Sequence, residues 1–221
     1  MSALLPKTTM LTCPARTASL AATLASFARS DWGVGARVHC DSAEERAGEE
    51  WGRGARARRL TDAFAGMLRA VLGDGGEPDE WLLFLEDDLE FHPRIGSLVR
   101  SWAALEDAGC VLASLFNPSL RAVPGAATLP RAFVTVPETF LGAQALLLRR
   151  RVLPLVLERW DSVAGLQSQR LARILAMGQP GAALNSPIWV HKPSLVQHVA
   201  ADSSWGARVQ RALDYDPAFQ G

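Results

Sequence analysis

Lysine is nearly missing from this chain: it occurs only at Lys7 and Lys192, and the other basic residues are arginines. An excess of charge is missing too, since 23 basic residues face 23 acidic ones and the isoelectric point is near 6.9. Such a balance gives no bulk electrostatic demand for a polyanionic partner. Cysteine is scarce: Cys13, Cys40 and Cys110 are odd in number, far apart and in no CxxC pair. That pattern excludes a disulfide framework and a zinc ribbon and makes a reducing cytoplasm the expected compartment. No run approaches the roughly 20 apolar residues of a membrane span. The longest, LGAQALLL, ends at Arg149-Arg150-Arg151. The amino terminus, MSALLPKTTMLTCPARTASL, lacks the basic, apolar and small-residue order of a secretory signal. No Gly-x4-Gly-Lys-Ser/Thr loop occurs, which argues against P-loop phosphate chemistry.

What is present is a chain of 221 residues, 48% hydrophobic and 21% charged. That is enough for one sizeable core and little more, so a single domain over 1–221 is expected, with 207–221 as a polar tail. TTMLTC (8–13) predicts a strand, and Leu20, Leu24 and Phe27 mark a helix closed by Asp31-Trp32-Gly33. ARVHCDS (36–42) predicts a second strand ending at Asp41, and the charged, glycine-bearing stretch 43–59 a surface loop. Leu60, Phe64, Met67, Leu68, Val71 and Leu72 form one helical face, and WLLFL (81–85) is a strand buried on both sides. A helix through Leu98, Val99, Trp102 and Leu105 follows, then the strand CVLASLF (110–116) and an irregular Pro- and Gly-rich excursion over 117–131. AFVTV, AQALLLRR, helical text over 151–177 and the closing pair IWVHKPSLVQHV complete an alternating α/β pattern without internal repeats.

The chemistry gathers after the apolar strand, in WLLFLEDDLEFHP. Glu86, Asp87 and Asp88 stand where open α/β sheets bind ligands, at the carboxyl end of a strand. An acidic run can be no more than a solvated helix cap. Three adjacent acids after a buried strand instead favour a hard cation that offsets their repulsion. Oxygen ligands select Mg²⁺, Mn²⁺ or Ca²⁺ over zinc, and the first two commonly bridge carboxylate to phosphate.

FLEDDLEFHP resembles the DxD segment of GT-A nucleotide-sugar glycosyltransferases. A second stretch, HKPSLVQHVAADSSWG (191–206), resembles the tail segment of several GT-A families, including the branching N-acetylglucosaminyltransferases and small bacterial or phage relatives. ETFLGAQALLLRR (138–150) is similar to the group's small-residue turn before a strand, which contacts donor sugar or acceptor. The resemblance spans roughly residues 8–206 and implies a Rossmann-like three-layer α/β/α sandwich with a mostly parallel mixed sheet. It implies a metal-dependent transferase that moves a hexose or N-acetylhexosamine from a uridine-linked nucleotide sugar to a hydroxyl acceptor. Glu86 would lie near donor ribose or metal-bound water, Asp87 at the middle position, and Asp88 and His198 on Mn²⁺ or Mg²⁺. The loop after the first strand would seat the nucleotide, with Thr12 and Arg16 as contacts and Asp41 a weaker one. Arginine is suited to a diphosphate by its fork of donors.

An inverting transferase also needs a base for the acceptor hydroxyl. Relatives often carry an acid in the helix before the last strand pair, where this chain has Ser168 and Gln169. Asp161 and Glu138 are the substitutes, and they leave the stereochemical outcome open. That gap motivates the rival reading, a non-catalytic GT-A-like module that binds a nucleotide sugar or glycan. A metal-dependent nucleotidyl or phosphoryl transferase is a third. His191 reads as structural. The clusters Arg53, Arg56, Arg58, Arg59 and Arg149–Arg151 read as solvated faces or as contacts to an anionic acceptor, such as lipopolysaccharide or DNA with hydroxymethylated bases. Trp205, beside Ser203-Ser204, is a candidate for sugar stacking.

Overall fold

The computed structural model describes residues 5–41, 53–118, 132–135, 140–178, 188–199 and 210–221. Successive side chains leave a strand on opposite sides, and here that alternation divides the core in two. In β3 (Trp81–Leu85), Leu82 and Phe84 enter one apolar cluster while Leu83 and Leu85 enter the other. In β7 (Ala145–Arg149), Leu146 and Leu148 join the first and Ala145 and Leu147 the second. β1 (Lys7–Thr12) splits likewise, Leu11 to the first and Met10 to the second.

A sheet apolar on both faces needs helices on both. The first face is covered by α2 (Arg53–Gly73), α4 (Leu153–Arg159) and α5 (Gln167–Met177), through residues such as Phe64, Leu68, Val156 and Leu171. The second is covered by α1 (Thr17–Arg29) and α3 (Ile95–Arg100), through Phe27, Ile95, Leu98 and Val99. The architecture is a Rossmann-like three-layer α/β/α sandwich, as the sequence implies.

With β2 (Arg37–Cys40), β5 (Leu112–Ser114), β6 (Ala132–Thr135) and β8 (Ile188–His191), the central sheet has the order β2-β1-β3-β7-β5-β8-β6. β1 is parallel to both β2 and β3, and β5 is parallel to β8. β7 is antiparallel to β3 and β5, and β6 to β8, so only β7 and β6 oppose the main direction. From β1 the chain goes out to β2 on one side and returns to β3 on the other. The carboxyl ends of β1 and β3 therefore flank a reversal of strand order, the place where open α/β sheets form a ligand crevice.

A second, two-stranded sheet pairs β4 (Leu89–Phe91) with β9 (Val196–His198), in the register Leu89↔His198. It draws the late histidine segment onto the acidic triplet.

Three elements differ from the sequence expectation. The stretch read as a surface loop to residue 59 is helical from Arg53, because the Ala and Arg there are good helix formers despite the charge on the arginines. The helix expected through Leu105 stops at Arg100, where Trp102 turns extended and buries its ring edge-on to His191 at 5.0 Å. The helical text of 151–177 is broken between α4 and α5, with Val163 extended and Gly165 at φ +123°. Residues 119–131, Glu138, Ser203, Ser204 and Trp205 lie outside the described residues.

Candidate metal centre

Glu86 is the first residue after β3, and its N–H donates to Gln144 O at 3.0 Å. The turn that carries Gln144 contains Gly142 at φ +93°, where a Cβ would meet Phe116 Cδ1 at 3.0 Å. That backbone suits only glycine. The carbonyl of Asp87 accepts hydroxyl hydrogen bonds from Ser19 and Thr23 of α1, each at 2.8 Å. Thr23 Oγ1 accepts in turn from Leu89 N at 3.0 Å, and Ser26 Oγ from Phe91 N at 3.0 Å. A polar stripe on an otherwise apolar helix thus satisfies the backbone where β3 passes into β4, in a region that could not leave such groups unpaired.

The side chains converge. Thr12 Oγ1, at the end of β1, donates to Asp87 Oδ2 at 2.5 Å, and Arg16 Nε donates to Asp87 Oδ1 at 2.6 Å. Arg16 Nη2 also reaches Asp88 Oδ2. His198 Nε2 meets the same Asp88 oxygen at 2.9 Å, while its Nδ1 lies 3.1 Å from Gln210 O. A backbone bond from Val199 N to Asp88 O at 2.9 Å fixes the two segments side by side. Asp88 Oδ1 is buried without a hydrogen-bond partner among the described residues.

Burial and crowding set the protonation of this group. Desolvation is the largest effect on Glu86, and the charges of Asp88 and Asp87 add to it, so its carboxyl is pushed up to about 8. Glu86 is half-buried by surface area, but its carboxyl is densely surrounded by protein. Asp87 is also raised, again mainly by desolvation, against the pull of Thr12 and Arg16. For His198 desolvation acts downward, but the hydrogen bond and charge of Asp88 outweigh it and the net shift is upward.

Glu86, Asp88 and His198 each offer a ligand atom, and these atoms lie within 4.8 Å of one another. Around an octahedral ion with bonds of about 2.1 Å, ligand atoms stand about 3 Å apart in cis and about 4.2 Å in trans. The donor set therefore fits a divalent cation after a small contraction, and the orphaned Asp88 Oδ1 is the acceptor such an ion would satisfy. Two carboxylates and one imidazole are a ligand set for a divalent cation.

The other residues singled out in the sequence fall in several places. Thr12 and Arg16 touch the carboxylates directly. Asp41 bonds through its backbone N–H to Thr12 O at 2.8 Å, and its side chain pairs with Arg59 at 3.1 Å. Asp161 is not joined to the cluster: its side chain is 84% exposed on the turn after α4 and faces Arg170 at 3.8 Å. His191 bonds Pro193 O at 2.7 Å and has no place in the cluster. Sequence reasoning missed Ser19, Thr23, Gln144 and Gln210. Thr23 was findable as a hydroxyl on the apolar face of α1, whereas Gln210 had no signal at all.

No family model matches the chain, and no curated protein matches it. Among solved structures it is similar to the galactosyltransferase LgtC bound to donor and acceptor sugar analogues, with 12% identity over 88% of this chain and 87% of that one, at a TM-score of 0.47. It is also similar to a glycosyltransferase involved in glycosylating the major capsid of PBCV-1, with 12% identity over 85% and 95% of the two chains and a TM-score of 0.44. A third is mouse xyloside xylosyltransferase 1, with 14% identity, 79% and 82% coverage and a TM-score of 0.40. At these scores the likeness says nothing of donor, acceptor or mechanism. These three solved structures are glycosyltransferases.

Proposed function

We propose that this chain is a metal-dependent glycosyltransferase that moves a sugar from a uridine-linked nucleotide donor to a hydroxyl acceptor. The observation that carries the reading is the convergence of Glu86, Asp88 and His198 within 4.8 Å, at the carboxyl end of β3 beside the reversal of strand order. Asp88 and His198 would hold Mn²⁺ or Mg²⁺, with Glu86 completing the set or holding a water on it. When bound, the cation supplies Lewis-acid stabilisation of the departing diphosphate.

The chain's own groups do the rest. Thr12 and Arg16 fix Asp87 so that Asp88 faces His198. With the cation bound, Gln210 O would accept from Nδ1–H of a neutral His198 imidazole and so free Nε2 to serve as a ligand. Arg16 and the amino end of α1 sit beside the carboxylates and present positive charge to a diphosphate. Acceptor deprotonation is assigned to Glu138 or Asp161, and Glu138→Gln and Asp161→Asn separate them: the true base loses turnover but keeps donor binding. The acceptor is a glycan, a lipopolysaccharide or a hydroxymethylated DNA base.

The test is a panel of nucleotide sugars, with and without Mn²⁺, scored for thermal stabilisation and for release of nucleoside diphosphate. Stabilisation follows from mass action when a ligand binds the native state alone. One donor should both stabilise and turn over, only with metal. Stabilisation without release would convert the reading to a binding module, and silence toward every donor would remove it.

A further inference from the structure

Arg16 stands where the carboxylates need a cation. Its Nε lies 2.6 Å from Asp87 Oδ1, and Nη2 of the same guanidinium reaches Asp88 Oδ2, the oxygen that His198 Nε2 meets at 2.9 Å. The three side chains are largely closed off, with 18% of Arg16 exposed against 6% for Asp87 and 7% for Asp88. A planar fork of donors can serve two acids at once, and the same fork matches phosphate oxygens equally well. A divalent cation held by Asp88 and His198 would share Asp88 with this guanidinium, and like charges at such separations oppose one another.

We propose that Arg16 is an internal counter-ion that competes with the divalent cation for Asp88 and passes to the diphosphate when donor and metal enter together. The proposal rests on the metal-and-donor reading above. Arg16 lies on the short 3-10 turn Pro14–Arg16 ahead of α1, so the transfer needs a side-chain rotation and leaves the helix in place. The metal alone binds weakly because it must displace a bound cation. The diphosphate removes that competitor and tightens the metal, and the metal by reciprocity tightens the diphosphate. Thr12 keeps Asp87 hydrogen-bonded while the guanidinium is away.

The experiment is a calorimetric titration of Mn²⁺ alone into the wild-type chain, Arg16→Gln and Arg16→Lys, with Asp88→Asn introduced into each as control. Arg16→Gln should bind Mn²⁺ about tenfold more tightly than wild type, within the usual span of coupling between sites. Arg16→Lys keeps one charge but cannot span both acids. It should shift in the same direction by less, and it decides the matter if Arg16→Gln does not fold. With uridine diphosphate present the order should reverse, because only the wild type regains the arginine on the diphosphate. Asp88-dependent Mn²⁺ binding that is equal or weaker in both Arg16 variants overturns the counter-ion. Mn²⁺ binding that survives Asp88→Asn, or is missing in every variant, overturns the metal reading as well. A normal Mn²⁺ series with no response to uridine diphosphate retires the donor reading and the transfer to diphosphate, and leaves the competition for Asp88 standing.

Discussion

Glu86 is a residue whose charge the fold opposes. Its carboxyl titrates near 8 because desolvation and the neighbouring Asp88 and Asp87 disfavour ionisation, against an ordinary value of 4.5. Between those two values the native state holds a proton that the unfolded chain has lost, so this residue's contribution to stability falls as pH rises. His198 adds the same sign: its raised titration stabilises below its unfolded value of 6.5 and is lost as pH passes the folded one. Metal-free protein should lose melting temperature on going from pH 5 to pH 8, and Glu86→Gln should flatten that loss. Calorimetric melts across the range check it, and an unchanged slope in Glu86→Gln contradicts it. The same protonation makes metal uptake pH-dependent. Mn²⁺ affinity should rise with pH up to about 8 with release of protons, seen as a binding enthalpy that varies with the ionisation enthalpy of the buffer.

Single elements carry the geometry. Thr23 is 1% exposed and joins Asp87 O to Leu89 N, so Thr23→Val takes a hydrogen bond from each of these backbone groups, and Asp87 O keeps only the Ser19 hydroxyl. A cost of about 1–3 kcal/mol is expected from the lost pairing, read by urea denaturation, together with weaker Mn²⁺ binding because Asp88 is one residue away. At Gly142 the left-handed backbone and the Cβ contact with Phe116 predict that Gly142→Ala costs about 1–3 kcal/mol. Its neighbour Gln144 bonds the backbone of Glu86, so the damage should extend to metal binding. The central strands were legible in the sequence, because WLLFL is apolar at every position, as a strand covered on both faces must be. β4 was not: LEF is three residues long, and only its pairing with β9 makes it a strand. The early end of α3 was equally hidden, since the burial of Trp102 against His191 is a tertiary contact that overrides helical periodicity.

Across the whole molecule, the sheet separates stability from chemistry. The register Trp81↔Arg149 and Leu85↔Ala145 puts Arg149 about 17 Å from Glu86, at the rise of a strand per residue, with Arg150 and Arg151 beyond it. There Arg149 lies over the Trp81 ring at 4.3 Å, Arg150 pairs with Glu80 at 2.9 Å, and Arg151 pairs with Asp79. This cluster, read in the sequence as a solvated face or an acceptor contact, is tied down within the fold. Arg150→Met should lower stability by about 1–3 kcal/mol while metal affinity stays at the wild-type value. A loss of metal affinity would mean that the two edges are coupled. The acidic half of the site was legible because strand and triplet are contiguous. Its partners were legible only through the resemblance of the late histidine segment, since 110 residues separate His198 from Asp88. Among the described residues no helix is long and apolar enough to cross a membrane.

The most direct measurement is anomalous scattering from crystals grown with Mn²⁺ and uridine diphosphate. A manganese peak in contact with Asp88 and His198, lost in Asp88→Asn, is the expected result. Well-ordered uridine diphosphate with no manganese at these residues, or manganese bound only elsewhere, would contradict the assignment of this cluster as the metal centre.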